Sequence, residues 1–170
     1  QLNQVAPNAA HWGLADLQDN YEVAIITQNV DDLHERAGSR QVLHLHGSLK
    51  LARSTYNPNW IVPIEEDLIL GDTCPDGGQL RPHIVWFGEP VPAMETAAEW
   101  VNSADIFLIV GTSLQVYPAA GLYQYTTPNT PIVLIDPNPA PIHHPQLHVI
   151  PEVATIGVSL FVEKITSILL

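Results

Sequence analysis

Three short apolar runs, each closing on a polar cluster, leave this chain few folds to choose from. Tyr21-Glu-Val-Ala-Ile-Ile-Thr27, Asp105-Ile-Phe-Leu-Ile-Val-Gly111 and Ile132-Val-Leu-Ile135 are brief and rich in β-branched residues. Such runs match strands buried on both faces of a parallel sheet. Helical spacing separates them. Ala10, Leu14 and Leu17 follow Pro7, which suits a first helical turn, and Met94, Ala97, Ala98 and Val101 follow Pro92. From about Val153, the residues Ile156, Leu160, Phe161, Ile165 and Ile168 predict a closing helix. Strands alternating with helices predict an α/β fold: a Rossmann-like parallel sheet with helices on both faces, binding ligands outside the carboxyl ends of its strands. Thr27-Gln28-Asn29, Gly111-Thr112-Ser113 and Asp136 stand at three such ends and are expected to meet at one crevice. Polar turns follow most strands, so each cluster taken alone also reads as an ordinary turn.

A chain of 170 residues, 46% of them hydrophobic, can bury one sizeable core. The regular pattern lapses between Leu49 and Arg81, where Asn57-Pro58-Asn59, Pro63, Gly71-Asp72 and Asp76-Gly77-Gly78 interrupt any period. Residues 49–82 therefore read as a small, loop-rich insertion within one domain spanning 1–170. Pro-Asn-Pro-Ala-Pro at 137–141 reads as a stiff surface loop.

Eighteen acidic residues against six basic ones give a formal charge of −12. That charge repels phosphate backbones and gains nothing from an anionic bilayer, so neither nucleic acid nor membrane partners are expected. It mildly favours encounter with lysine-bearing partners, and it also serves solubility. Cys74 is the single cysteine, so no internal disulfide is possible. No apolar run approaches the roughly 18 residues of a membrane span. A cytoplasmic location is the simplest expectation. The first residue is Gln1 rather than methionine, and no leader pattern opens the chain, which looks like a piece of something longer.

The segment Gln28-Asn29-Val-Asp31-Asp-Leu-His-Glu-Arg-Ala-Gly38, followed by His44-Leu-His46-Gly47-Ser48, closely resembles the signature of the sirtuin family. Val85-Trp86-Phe87-Gly88-Glu89 resembles that family's substrate loop, Gly111-Thr112-Ser113-Leu-Gln-Val116-Tyr117-Pro118 its cofactor and peptide motif, and Ile135-Asp136 its ribose-binding strand end. The matches run in order along nearly the whole chain. The resemblance implies a bacterial-type NAD-dependent protein lysine deacylase, with NAD as co-substrate and acyl-lysine proteins or peptides as partners. Nicotinamide and O-acyl-ADP-ribose would be the products.

Loss of nicotinamide from NAD leaves an electron-poor ribose carbon that an acyl-lysine oxygen can capture, and a base must then deprotonate a ribose hydroxyl. Histidine suits that task because its ordinary pKa of about 6.5 leaves it mostly neutral yet basic near neutral pH. His46 and His44 are both candidates. Two residues apart in an extended segment, they would share a face, and spacing alone does not choose between them. The resemblance puts the catalytic histidine at His46, and Gly47 beside it would let a ligand approach the backbone closely. It also assigns Gln28, Asn29 and Asp31 to the nicotinamide side; Asn29 and Asp31 could also cap a helix starting near Val30, and capping can coexist with binding. Gly111, Thr112 and Ser113 would meet phosphate or the adenosine ribose, and Asp136, where many members have asparagine, would accept from ribose hydroxyls. Val85 to Glu89 and Val116 to Pro118 would flank an extended substrate peptide. Trp86 and Phe87 could instead be ordinary core aromatics.

The chain departs from the family pattern in two places. Most members carry a zinc module with two cysteine pairs, but only Cys74 stands in that region here. A structural zinc needs about four such ligands, so no zinc is expected and the module should be held by loop packing alone. At the front, the Gly-rich turn that cradles the NAD pyrophosphate is missing, since Gly13 is isolated in a helix pattern. The chain is therefore expected to be a fragment with a further segment upstream of Gln1, and NAD binding should fail without that segment. Acyl preference is not legible. Other functions compatible with these residues are NAD hydrolysis or mono-ADP-ribosyl transfer, in which the peptide motifs would be idle, and a non-catalytic nucleotide-sensing module, which would not need His46.

Overall fold

A computed structural model describes residues 2–168, with the side chains of all of these except residue 3 and residues 166–168. Its elements run α1 (Ala9–Asp16), β1 (Ile25–Thr27), α2 (Leu33–Arg36), β2 (Val42–His44), β3 (Gly47–Ser54), β4 (Ile61–Pro63) and β5 (Leu80–Ile84). There follow α3 (Met94–Ser103), β6 (Phe107–Val110), β7 (Ile132–Ile135), β8 (Leu147–Ile150) and α4 (Ala154–Ile168). The α/β alternation is as predicted, and β1–β2 and β6–β7–β8 are parallel throughout.

Instead of one continuous sheet, the described residues form two parallel ladders and a separate antiparallel sheet, β4–β3–β5. The two parallel ladders nevertheless share both of their cores. Strand residues alternate sides, so Ile25, Leu108 and Val110 meet Val133, Ile135 and Val158 on one face, while Ile26, Leu43 and Phe107 meet Ala97 and Val101 on the other. Helices α1 and α4 cover the first face, and α3 with Leu122 covers the second.

Local chemistry moves several boundaries. Asn8, not Pro7, begins α1: its side chain accepts from the N–H groups of Ala10 and His11, and its own N–H donates to His11 Nδ1. This reciprocal cap satisfies otherwise orphaned donors. Asn8→Ala is expected to cost about 1 kcal/mol, read as a lower urea midpoint. Strand β1 is only three residues long because the Tyr21 N–H is taken by Leu17 O in the turn that ends α1, and ladder pairing starts only at Ile25. Tyr21 and Val23 still pack on the core without pairing.

Within α4, Val158 and Phe161 are buried and Ile165 packs against the core, but Ile156 and Leu160 are 50% and 39% exposed. The side chain of Ile168 lies outside those described. Helix α4 thus buries a narrower stripe than its apolar content suggested. The interrupted region is more regular than its composition implied, since β3 is eight residues long. Its fully covered positions are small, Ser48, Ala52 and Ser54, so the period-2 hydrophobic signal that marks most strands is absent there. Strand β8 carries no clear strand signal in the sequence, because half of its short span, His148 and Val149, faces solvent at a sheet edge. Among the described residues no helix is long and apolar enough to cross a membrane.

Candidate active site

Strand β2 ends at His44, and the chain turns through Leu45 and His46 before β3 begins. Leu45, 1% exposed, sinks into the core beside Ala97 and Val101 and pins that turn. The two histidines consequently do not share an extended face. His46 Nδ1 lies 3.2 Å from the Gln28 carbonyl oxygen. A carbonyl only accepts, so Nδ1 carries the hydrogen and Nε2 keeps its lone pair, the tautomer a general base requires. The backbone of the turn is fixed as well, by Leu45 N–H to Thr27 O and Val85 N–H to His46 O, both 2.9 Å. His44 is differently placed. Its Nε2 is 2.6 Å from Glu35 Oε1 and its Nδ1 faces Asn29 O at 3.4 Å, so both ring nitrogens are turned to partners.

The polar ends of β1 and β6 do meet. Gln28 Nε2 donates to Thr112 Oγ1 at 3.3 Å, although no backbone pairing joins the two strands among the described residues. Thr112 Oγ1 also accepts from the Leu114 N–H. Leu114 has φ of 54°, a left-handed conformation costing on the order of 1–2 kcal/mol for a side-chain-bearing residue. Its packing on Ile109, Ile132 and Leu134 holds it there, and Gly111 and Ser113 are left exposed at the strand end.

Asn29 donates its N–H to Thr27 Oγ1 and is exposed, and among the described residues its side chain makes no helix-capping hydrogen bond. Asp31 Oδ1 accepts from the Leu33 N–H. That bond ties Asp31 to the start of α2, which opens at Leu33 rather than near Val30. Asp136 is half-buried at the end of β7, and its Oδ1 accepts from the Asn138 N–H at 2.8 Å, shaping the turn into 137–141. No hydrogen bond connects Asp136 to the Gln28–Thr112 pair among the described residues.

Trp86 and Phe87 are 54% and 95% exposed, which removes the core-aromatic reading. They sit in a tight turn. Glu89 N–H donates to Trp86 O, and Gly88 has φ of 90°, the third-position conformation of a type II turn that glycine adopts without strain. Val116, Tyr117 and Pro118 are exposed and lead into a 3-10 segment, Ala119–Tyr125. No hydrogen bond joins 85–89 to 116–118 among the described residues.

Glu89 is partly exposed, and its carboxylate is turned onto two arginines of the small module. Its carboxylate accepts from Arg81 at 2.6 and 3.2 Å, from Arg53 at 3.2 Å and from the Trp86 N–H at 3.1 Å. The Arg81 hydrogen bond, with the Trp86 N–H second, pulls the Glu89 carboxyl down to about 2. Stability from this depressed group is fully present above the ordinary glutamate range and is lost as pH falls toward about 2. Sequence reading missed both arginines, because their meeting depends on the β3–β5 register. Gly47 is also explained differently. Its φ is 80°, and a Cβ there would lie 2.0 Å from the His83 carbonyl oxygen, so the close approach is to the neighbouring strand β5 rather than to a ligand.

The residues of the small module do not fit a four-ligand zinc site. Among the described residues no group of three or more His, Cys, Asp or Glu could hold a metal. Cys74 is buried, and burial, followed by the Asp76 carboxylate, pushes its thiol up, away from the thiolate form that binds metals. The module is knit by hydrogen bonds as well as packing. Ser54 Oγ donates to Asp76 Oδ2 at 2.8 Å and accepts from the Tyr56 and Asn57 N–H groups, while Asp76 Oδ1 accepts from the Gly78 N–H. Ser54→Ala is expected to lower stability by about 1–3 kcal/mol, because it strips partners from buried polar groups. EDTA should leave the parent's urea midpoint unchanged, and a chelator-sensitive midpoint would mean that a metal supports the module.

Residues 1–118 match the model of the Sir2 family. The chain is 51% identical over 165 residues to an NAD-dependent protein deacylase of Bacteroides thetaiotaomicron, covering 93% of this chain and 70% of that protein. It is 57% identical over 136 residues to an NAD-dependent protein deacylase of Aggregatibacter actinomycetemcomitans, covering 80% of this chain and 65% of that protein. The chain thus spans about two thirds of the length of these relatives. Among solved structures, a Sir2 homologue mutant in complex with ADP-ribose superposes with a TM-score of 0.85 at 37% identity, over 96% of this chain and 68% of the other. A complex of Sir2 with a p53 peptide and NAD+ superposes at 0.77 and 30% identity, over 98% and 71%.

Proposed function

Because this chain belongs to the Sir2 family, we propose that the protein removes acyl groups from protein lysines at the expense of NAD, releasing nicotinamide and O-acyl-ADP-ribose. The observation that carries this reading is the 3.2 Å contact of His46 Nδ1 with the carbonyl of Gln28, the residue whose side chain bonds Thr112; with Nδ1–H donated there, Nε2 is left to act as the base. Bound NAD supplies a scissile bond to nicotinamide, whose departure exposes a ribose carbon to the acyl-lysine oxygen. The chain's own residues do the rest. Gln28, Asn29 and Asp31 orient the nicotinamide side, and Gly111, Thr112, Ser113 and Asp136 take the phosphate and adenosine-ribose side. His46 withdraws a ribose hydroxyl proton through Nε2, so that this oxygen can bond to the acyl carbon, and one water adds as the acyl–nitrogen bond breaks and the lysine amine leaves. The turn at Val85 to Glu89, exposed at Trp86, Phe87 and Gly88, and the exposed span Val116 to Pro118 receive the peptide by backbone pairing.

In this reading, residues 1–170 belong to the NAD-binding catalytic domain, 49–82 form its small accessory module, zinc is not required, and the protein works in the cytoplasm. The named activity of the two deacylase relatives and the peptide complex of a solved neighbour support the deacylase activity and a peptide substrate. The test is to incubate the full-length polypeptide with an acetyl-lysine peptide, with and without NAD, and to follow nicotinamide and peptide mass together. NAD-dependent loss of the acyl mass is expected. Nicotinamide release with an unchanged peptide would replace this reading with NAD hydrolysis or ADP-ribosyl transfer.

A further inference from the structure

Arg53 of β3 and Arg81 of β5 are direct cross-strand partners in an antiparallel pair. Like charges in that position repel, so the sheet itself gains nothing from the pairing. Among the described residues, the carboxylate bonded to both is Glu89, which lies outside the sheet, in the turn that carries Phe87. Both guanidinium groups also donate to Ile84 O, which orients them toward that turn. Glu89 in addition closes its own turn from two sides, receiving the Trp86 N–H on its side chain and giving its N–H to Trp86 O. The result is an exposed aromatic tip on a turn whose base is bolted to the small module.

We propose that Arg53, Arg81 and Glu89 form a positioning clamp that holds the Trp86–Glu89 turn ready for the substrate peptide, with the small module as its anchoring post. The clamp touches neither NAD nor the acyl group. It removes the ordering cost of the turn before the peptide arrives, and so acts on peptide affinity. It also gives the module a role in catalysis that needs no metal. The inference deepens the deacylase reading and rests on it for its substrate.

The test compares the parent with Glu89→Gln, Arg81→Met and the double variant, all in the full-length polypeptide. Three quantities are read: the urea midpoint, the rate at which chymotrypsin cuts after Trp86 or Phe87 in native conditions, and steady-state constants for an acetyl-lysine peptide and for NAD. With two or three charge-assisted bonds lost, cleavage and peptide KM should each rise about tenfold or more. In Arg81→Met, which alters no residue of the peptide-binding spans, NAD KM and kcat at saturating peptide should stay within about twofold of the parent, and the double variant should have a peptide KM no worse than the more affected single one. Arg53→Met, which leaves the Arg81 bonds in place, substitutes if Arg81→Met does not fold. Unchanged cleavage and peptide KM in folded variants overturn the clamp, as does a fall in kcat with peptide KM untouched. If the parent itself does not deacylate, the function reading fails, while the cleavage rates still decide whether the turn is clamped.

Discussion

Replacing His46 by alanine is expected to lower kcat for deacylation by about 10²- to 10⁴-fold, the usual worth of a positioned general base. Dissociation constants for NAD and peptide should shift little, since the lost group acts on a proton rather than on binding. The comparison that gives the number meaning is His44→Ala. His44 bonds Glu35 at 2.6 Å and faces the Asn29 carbonyl, so neither ring nitrogen is left to accept a proton from substrate. Its loss should disturb the β2 end and the Asn29 loop and cost within roughly tenfold in rate, as losing one or two local hydrogen bonds does. Equal losses from both variants would mean that the Nδ1–Gln28 bond is not what selects the base, and a larger loss from His44→Ala would transfer the role to it. Stopped assays of peptide mass at saturating NAD give the rates, and calorimetric titration gives the affinities.

Gly47→Ala is expected to be the most damaging single methyl group in the molecule. The residue has φ of 80°, and the added Cβ would lie 2.0 Å from His83 O and 3.0 Å from the Ile84 Cα, both backbone atoms that cannot rotate aside. Left-handed strain contributes about 1–3 kcal/mol and the forced displacement of β5 about the same again, so a total loss of roughly 2–6 kcal/mol is expected. Gly38→Ala separates the two contributions. Gly38 has φ of 98°, but a Cβ there meets nothing within 4 Å, so only the strain should appear. The difference between the two urea midpoints isolates the contact. Similar midpoints would mean that β5 yields freely. Because Val85 N–H bonds His46 O immediately beyond this contact, Gly47→Ala should also lower activity in whatever fraction remains folded.

The residue types needed for the chemistry, and the order of strand ends that carry them, are legible in the linear chain. Parallel strands betray themselves as continuous apolar runs because both of their faces are covered, and polar residues at their carboxyl ends mark the crevice side. Gln28 and Thr112, 84 residues apart, meet for that reason. The α1 and α3 faces follow from helical spacing in the same way. What spacing could not reach is whatever depends on register or on a turn. Only the Leu45–His46 turn separates the two histidines, and only the carbonyl of Gln28 assigns the proton of the one that remains. Strand β3 was hidden because its covered positions hold serine and alanine, which carry no hydrophobic period. Arg53, Arg81 and Glu89 are scattered along the chain with nothing local to join them, and only the antiparallel register of β3 with β5 brings the charges together. Sequence by itself determines which groups are available and which segments bury, because burial follows composition and period. The tertiary structure alone decides which of those groups touch, because a hydrogen bond a few ångströms long is set by the pairing of strands that the chain places far apart.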